Sequence, residues 1–272
     1  MSAIRTVARK ELRDAASSRW LLGFAATFAV MALALSLAQG GGGDSRDGFT
    51  RTTAGLVNLC LLLVPLLALV LGAGALAGER ERGTLASLMA QPITSTELLV
   101  GKFVGLTLAV WAAVALGFGS AGLAIALLHP VAAVGEYLQF VLLAAGLAMT
   151  MLSVGILVSV CSDGRMKAIG MALVLWFFFV LFYPLAAIGL ALALSTSGET
   201  LLVAVLANPV EGARILAIVG LEPDLRVLGP LGAYLVNELG LPATTALLLT
   251  ALAAWTAAPL ALANGLFARQ DY

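Results

Sequence analysis

Charge is what this sequence has least of. Of its 272 residues 11% are charged, against about 25% in a soluble domain. In contrast, 61% are hydrophobic and mean hydropathy is +1.04. A water-soluble fold of this size has nowhere to hide so much apolar surface, so the solvent is a bilayer. Net charge is zero, which removes the electrostatic footprint of a nucleic-acid binder. The two cysteines, Cys60 and Cys161, sit in different apolar runs with no metal-ligand spacing around them. They predict neither a disulfide framework nor a metal site. The one histidine, His129, stands beside Pro130, as a tolerated polar residue at a span end. No phosphate-binding loop is present: Gly101-Lys102-Phe103 lacks both the earlier glycine and the hydroxyl residue that would hold magnesium. The dinucleotide fingerprint, H-E-x-x-H and G-x-S-x-G are missing too. The chain is therefore expected not to be an enzyme and to bind no cofactor itself. Intramembrane acids are equally scarce. Glu136, at a boundary, is the carboxylate nearest a span, so a proton- or sodium-coupled carrier would lack its ionisable residue. If the protein moves something uphill, the energy comes from elsewhere.

What the sequence does have is long charge-free runs, at 20–43, 52–78, 103–135, 137–162, 168–198 and 239–268. Each exceeds the roughly 20 residues a helix needs to cross about 30 Å of hydrocarbon. Six spans are predicted, at 20–38, 54–77, 101–128, 137–160, 168–194 and 242–266. Continuous apolar runs exclude a membrane barrel, whose strands alternate. The first run is too long for a signal-peptide core and follows a leader containing Glu11 and Asp14, so an uncleaved span is expected. An even number of spans puts both termini on one side. With the termini in the cytoplasm, eleven basic residues lie inside (Arg5, Arg9, Lys10, Arg13, Arg19, Arg80, Arg82, Lys102, Arg165, Lys167 and Arg269). Four lie outside, Arg46, Arg51, Arg214 and Arg226. This asymmetry fits the positive-inside rule and predicts a multi-pass protein of the cell inner (cytoplasmic) membrane.

The leader, 2–18, reads as an amphipathic elbow helix lying in the membrane interface. Ile4, Val7, Ala8, Leu12, Ala15 and Ala16 share one face, and Arg5, Arg9 and Arg13 stack on another. Residues 39–51, with four consecutive glycines at 40–43, read as a flexible outer loop. The outer segment 195–240 contains two apolar pieces, 200–209 and 227–237, too short to cross. These predict re-entrant or interfacial helices, on a surface made anionic by Glu199, Glu211, Glu222, Asp224 and Glu238. Asn58 in the second span suits either interhelical hydrogen bonding or a pathway. Gly117, Gly119 and Gly122 suit close helix packing. The aromatic run from Trp176 to Tyr183 suits packing or lipid contact.

One polar segment interrupts this chain between the second and third spans. Residues 78–92 open with Glu79-Arg80-Glu81-Arg82. Gly78 is read as the end of the second span and Thr84 as an N-cap. Leu85, Leu88 and Met89 then give a short helix one apolar face, with Glu79 and Glu81 at the positive end of its dipole. Pro92 stops it, and Thr94 with Glu97 forms a capping box for the third span. Such a helix is a handle for a cytosolic partner.

These residues resemble the ABC-2-type permeases of ABC transporters. Gly78-Glu79-Arg80-Glu81-Arg82-Gly83-Thr84-Leu85 is similar to their G-E-x-E-x-G-T-L coupling-helix motif. Leu99-Val100-Gly101-Lys102-Phe103 and Ala8-Arg9-Lys10-Glu11-Leu12 fit as well, and Phe267-Ala268-Arg269-Gln270-Asp271 resembles F-x-R-R-D with Gln270 in place of the second arginine. The resemblance runs the length of the chain. It implies an all-α half-transporter, one transmembrane domain over 1–272, that pairs with a second copy of itself. Glu79, Arg80, Glu81, Arg82, Thr84, Leu85, Leu88 and Met89 would couple it to a separate cytosolic ABC ATPase subunit, which holds the ATP and magnesium. Within the family, Asn208-Pro209-Val210-Glu211-Gly212-Ala213-Arg214-Ile215-Leu216 resembles the outer stretch of the permeases that serve nitrous-oxide reductase maturation. That implies a periplasmic β-helical partner, met at Asn208, Pro209, Glu211 and Arg214, or a gate there. It also implies a part in assembling the reductase's copper centre, by moving a sulfur species or by transmitting ATPase motion. From the residues themselves, an exporter of a drug, lipid or peptide and a non-transporting scaffold stay open.

Overall fold

The computed structural model describes residues 2–39, 45–128, 134–194, 197–221, 225 and 228–270. The tetraglycine 40–43, His129, Glu222, Asp224, Arg226 and Asp271 lie outside the described residues. In chain order the helices are α1 (Ser2–Ala16), α2 (Arg19–Gln39), α3 (Ser45–Glu81), α4 (Thr84–Met89), α5 (Ser95–Leu128), α6 (Val134–Cys161), α7 (Arg165–Phe177) and α8 (Tyr183–Leu194). They continue with α9 (Gly198–Leu206), α10 (Pro209–Leu221), α11 (Pro230–Tyr234) and α12 (Leu241–Phe267). Two π-helical turns, Phe178–Phe182 and Leu235–Leu239, join α7 to α8 and follow α11. No strand occurs among the described residues.

Among the described residues, five stretches are long and apolar enough to cross a bilayer: Gly55–Glu81, Ser95–Leu123, Tyr137–Cys161, Arg165–Gly189 and Leu241–Phe267. The predicted first span corresponds to α2, a continuous helix of 21 residues whose described apolar stretch is Leu21–Met31. The helices α9 and α10 pass the same test only as a pair bent by 117°. The structure is thus all-helical and multi-pass, with five or six span-capable elements.

Helix ends depart from expectation where a local residue decides them. The loop expected at 39–51 is helical from Ser45 onward, as the start of α3. Gly78 does not end that helix, which continues through Glu81. The stop is Gly83, at φ 69°, a left-handed conformation that glycine adopts without a Cβ penalty. Thr84 is therefore the first residue of α4 and not its cap; its hydroxyl donates to Glu79 O at 3.2 Å. The capping box forms as expected, with Thr94 N donating to Glu97 Oε2 at 3.0 Å and Glu97 N to Thr94 Oγ1 at 3.2 Å.

Packing sorts the spans into inner and outer. The windows of α3, α5 and α6 are 61–67% buried, whereas those of α7–α8 and α12 are 22% buried. A close crossing pairs α3 with α6. A Cβ on Gly72 would meet Leu152 O at 2.6 Å, and one on Gly155 would meet Leu69 O at 2.6 Å. The two backbones approach as closely as small residues permit. Of the three glycines picked out in the third span, Gly117 receives the Phe28 ring of α2 and Gly122 faces the Tyr137 ring, while Gly119 has nothing within 4 Å of its Cβ position. Part of the apolar face of α1 packs inside the bundle, with Ala8 and Ala15 buried and Ala16 exposed. It lies on α5, where Gly101 and Gly105 admit Val7, Ala8 and Glu11.

The outer segment folds back into the bundle. Asn208 caps α10: its Oδ1 accepts from Val210 N at 2.9 Å, and its Nδ2 donates to Phe179 O at 2.8 Å. Trp255 Nε1 donates to Leu206 O at 3.0 Å. Phe179 lies about 21 Å along the helix from Arg165, and Trp255 about 18 Å from Phe267. The turn of the α9–α10 hairpin therefore sits near half height of the spans.

Candidate functional site

The last turn of α3 carries three charged residues in succession, and successive residues point about 100° apart. Each reaches a different neighbour. Glu79 is 4% exposed. Its Oε1 lies 2.8 Å from Lys102 Nζ on α5 and 3.5 Å from Lys10 Nζ on α1. Lys102 is 1% exposed and also meets Glu11 Oε1 of α1 at 2.7 Å. A buried ammonium is tolerated because two carboxylates flank it. Glu79 Oε2 is buried without a hydrogen-bond partner among the described residues.

Arg80 turns the other way. Its Nη1 donates to Ser162 O and, at 3.5 Å, to Ser159 O and Val160 O. These are end carbonyls of α6, which a cation satisfies. Its Nη2 donates to Gln270 Oε1 at 2.7 Å, and Gln270 Nε2 donates in turn to Val160 O at 3.1 Å. A glutamine here both accepts from Arg80 and donates to α6. Glu81 Oε2 accepts from Arg165 N at 2.7 Å and so caps α7. Three consecutive residues thus bind the ends of α1, α5, α6, α7 and the segment after α12 to the end of α3.

This changes the role read for the two glutamates. Glu79 and Glu81 belong to α3, and their side chains are engaged with α1, α5 and α7 instead of sitting at the start of the short helix. The short helix α4 turns its apolar residues inward: Leu85 is 2% exposed, and Met89 packs on the core. Leu88 is half-buried, and Arg82, Thr84, Ala86, Ser87 and Ala90 are exposed. A cavity of about 420 Å³ separates α4 from α1, bounded by Lys10, Asp14, Glu79, Arg82, Ser87 and Gln91 among others. The arrangement is one of ion pairs and hydrogen bonds that join helices to one another.

At the other end the remaining candidates sit apart. Asn208 is fully buried and serves the hairpin. Pro209 is the first residue of α10. Glu211 and Arg214 pair at i,i+3, with Oε1 to Nη1 at 2.9 Å and side chains 14% and 31% exposed. They sit within two turns of the hairpin's turn, and the pair is half-buried. The charge-free runs hold no such pair; it arrives because Asn208-Pro209 breaks the outer segment between two apolar pieces. Asn58 is exposed on α3. Sequence reasoning also missed Lys102 and Gln270 as partners of the charged segment. Their signal was a lysine just inside a span and an amide in the tail, neither of which names its partner.

A profile of the ABC-2 family transporter proteins matches residues 5–272. The chain is also similar to the probable ABC transporter permease protein NosY of Pseudomonas aeruginosa and to that of Stutzerimonas stutzeri. Each is 36% identical over 283 aligned positions that take in 99% of both chains. Match and similarity cover the charged end, the short helix and the hairpin alike, and the chain belongs to the ABC-2 family as the permease subunit of an ABC transporter.

Proposed function

We propose that this permease serves the maturation of the copper centre of nitrous-oxide reductase, as the membrane subunit that carries the work of a cytosolic ATPase across the bilayer. The observation that supports this reading is full-length similarity to two NosY permeases, together with a charged end where Glu79, Arg80 and Glu81 join five neighbouring segments. In this reading the charged end and both termini face the cytoplasm of a cell with an inner membrane. The ATPase, which holds ATP and magnesium, seats on the exposed face of α4 at Arg82, Thr84, Ala86, Ser87 and Ala90. A second copy of the permease completes the complex. The outer segment around α10 and α11 meets a periplasmic β-helical protein. ATP-driven closure of the paired ATPases then moves a sulfur species outward or passes the motion to that partner.

The test is mild-detergent purification of the tagged permease with mass spectrometry of what accompanies it. A P-loop ATPase together with a periplasmic β-helical protein is the expected result. An ATPase alone would leave an ABC-2 exporter without the maturation role, and neither would remove the docking assignment.

A further inference from the structure

We propose that the exposed Arg5, Arg9 and Arg13 of α1 form a binding site for the phosphate groups of anionic phospholipids, in the leaflet at the charged end of the bundle. The helix divides into three faces at about 100° per residue. Ala8, Glu11 and Ala15 face α5, whose Gly101 and Gly105 they touch or approach. Lys10 and Asp14 face the cavity shared with α4. The three arginines occupy the remaining third, and all are exposed.

The ladder has no internal partner. The acids of α1 are placed elsewhere: Glu11 Oε1 lies on Lys102 at 2.7 Å, and Asp14 Oδ2 is 4.0 Å from Lys10. Among the described residues, no carboxylate lies within 4.0 Å of Arg5, Arg9 or Arg13. Like charges at i,i+4 destabilise a helix by about 0.2–0.5 kcal/mol per pair. Arg5 also stands near the positive end of α1, whose first turn holds no acid. A bound anion relieves both penalties. The arginines, with Thr6, Lys10 and Asp14, border a concavity of about 580 Å³, and guanidinium forks match phosphate oxygens in a way that point charges do not.

Position selects the anion. Gly101 and Gly105, where α1 lies on α5, stand about 9 and 15 Å along α5 from Ser95. With Ser95 at the water boundary, that lies just beneath a headgroup zone about 5–8 Å thick, at the hydrocarbon edge, where long arginine side chains reach back to the phosphates. Much of the apolar face of α1 is used by α5, so the exposed arginines supply the larger part of the attraction that remains for the membrane. Each basic residue near an anionic surface contributes roughly a fivefold gain in affinity. The depth assignment rests on the functional reading above only for which leaflet is meant.

The experiment is native mass spectrometry of the purified permease, titrated with phosphatidylglycerol or phosphatidylcholine in detergent. The wild type is expected to retain phosphatidylglycerol in preference to phosphatidylcholine. The variant carrying Arg5→Gln, Arg9→Gln and Arg13→Gln is expected to bind phosphatidylglycerol about a hundredfold more weakly. Arg9→Gln alone is expected to lose about fivefold, which keeps the test alive if the triple variant folds poorly. Replacement of all three by lysine should fall between. Unchanged phosphatidylglycerol binding in the glutamine variants overturns the proposal. So does unchanged lipid binding with lost ATPase recovery, which would place an acidic protein surface on the ladder. Failure of the wild type to recover an ATPase would count against the functional reading and leave the lipid readout unaffected.

Discussion

Lys102 shows how much a single side chain decides at the charged end. With 1% exposure and carboxylates at 2.7 and 2.8 Å, it is the common partner of α1 and α3. Removing one member of a buried ionic group leaves the others uncompensated, at about 3–5 kcal/mol. Lys102→Met is expected to lower the thermal unfolding midpoint of the detergent-solubilised permease markedly. Adding Glu11→Gln and Glu79→Gln to it should restore most of that loss, because no uncompensated charge then remains. A single variant as stable as wild type would show that the lysine is not buried in the working protein. The same scale explains what the sequence could and could not say. The motif from Gly78 to Leu85 was legible as polar and dense. Its partners were not, because an ion pair is a fact of three-dimensional distance: Lys102 lies beyond α4 in the next span, and Gln270 lies several spans from Arg80.

Among elements, the α3–α6 crossing and the α9–α10 hairpin make the sharpest demands. Gly72→Ala or Gly155→Ala places a methyl on the opposing backbone, and such overpacking typically costs about 1–3 kcal/mol. Gly119→Ala, with open space at its Cβ, is expected to raise the unfolding midpoint slightly, because alanine is the better helix former by about 0.5–1 kcal/mol, so the three variants measured together separate packing from helix propensity. In the hairpin, Asn208→Leu removes the partners of Phe179 O and Val210 N. Leaving such buried groups unpaired costs about 1–3 kcal/mol. Limited proteolysis should then cut within 198–221 sooner than in wild type; equal protection would mean that the bonds from Tyr183 to Ala204 O and from Trp255 to Leu206 O suffice to hold the turn. The spans themselves were plain in the sequence, since length and apolarity suffice for them. Their ends were less so: Gly83 and not Gly78 stops α3, because a glycine ends a helix where the backbone turns left-handed and not simply where polarity begins. Gly72 and Gly155 were invisible for the opposite reason. Among 29 glycines, nothing in the chain marks the two that face each other.

At the scale of the whole molecule, the proposed ATPase seat can be separated from the fold that carries it. Replacing Ala86 and Ser87 with glutamate alters only exposed positions, so the unfolding midpoint should hold while ATPase recovery is lost. Glu81→Lys is the contrasting case: it removes the cap from α7 and should lower stability by about 1 kcal/mol. If both variants lose ATPase and neither loses stability, the seat extends to Glu81. On α10, Arg214→Glu sets two acids side by side. It should impair recovery of an outer partner while sparing the ATPase; recovery of both at wild-type levels would remove α10 from the docking surface.

The joining of five neighbouring segments to the end of α3 has a mechanical consequence. An end stitched together by Glu79, Arg80 and Glu81 moves as a plate, so relative motion of the spans must be released farther along. Two interruptions lie at matching heights, about 20–25 Å from that end. Pro65 deprives α3 of one backbone donor, and the π turn 178–182 loosens the join of α7 to α8. Trp176, just before that turn, donates to Leu62 O at 2.9 Å, tying the two breaks to each other, and Asn208 joins the hairpin to the π turn at Phe179. The two breaks and the turn of the hairpin thus share one level of the bundle, joined there by two side-chain hydrogen bonds.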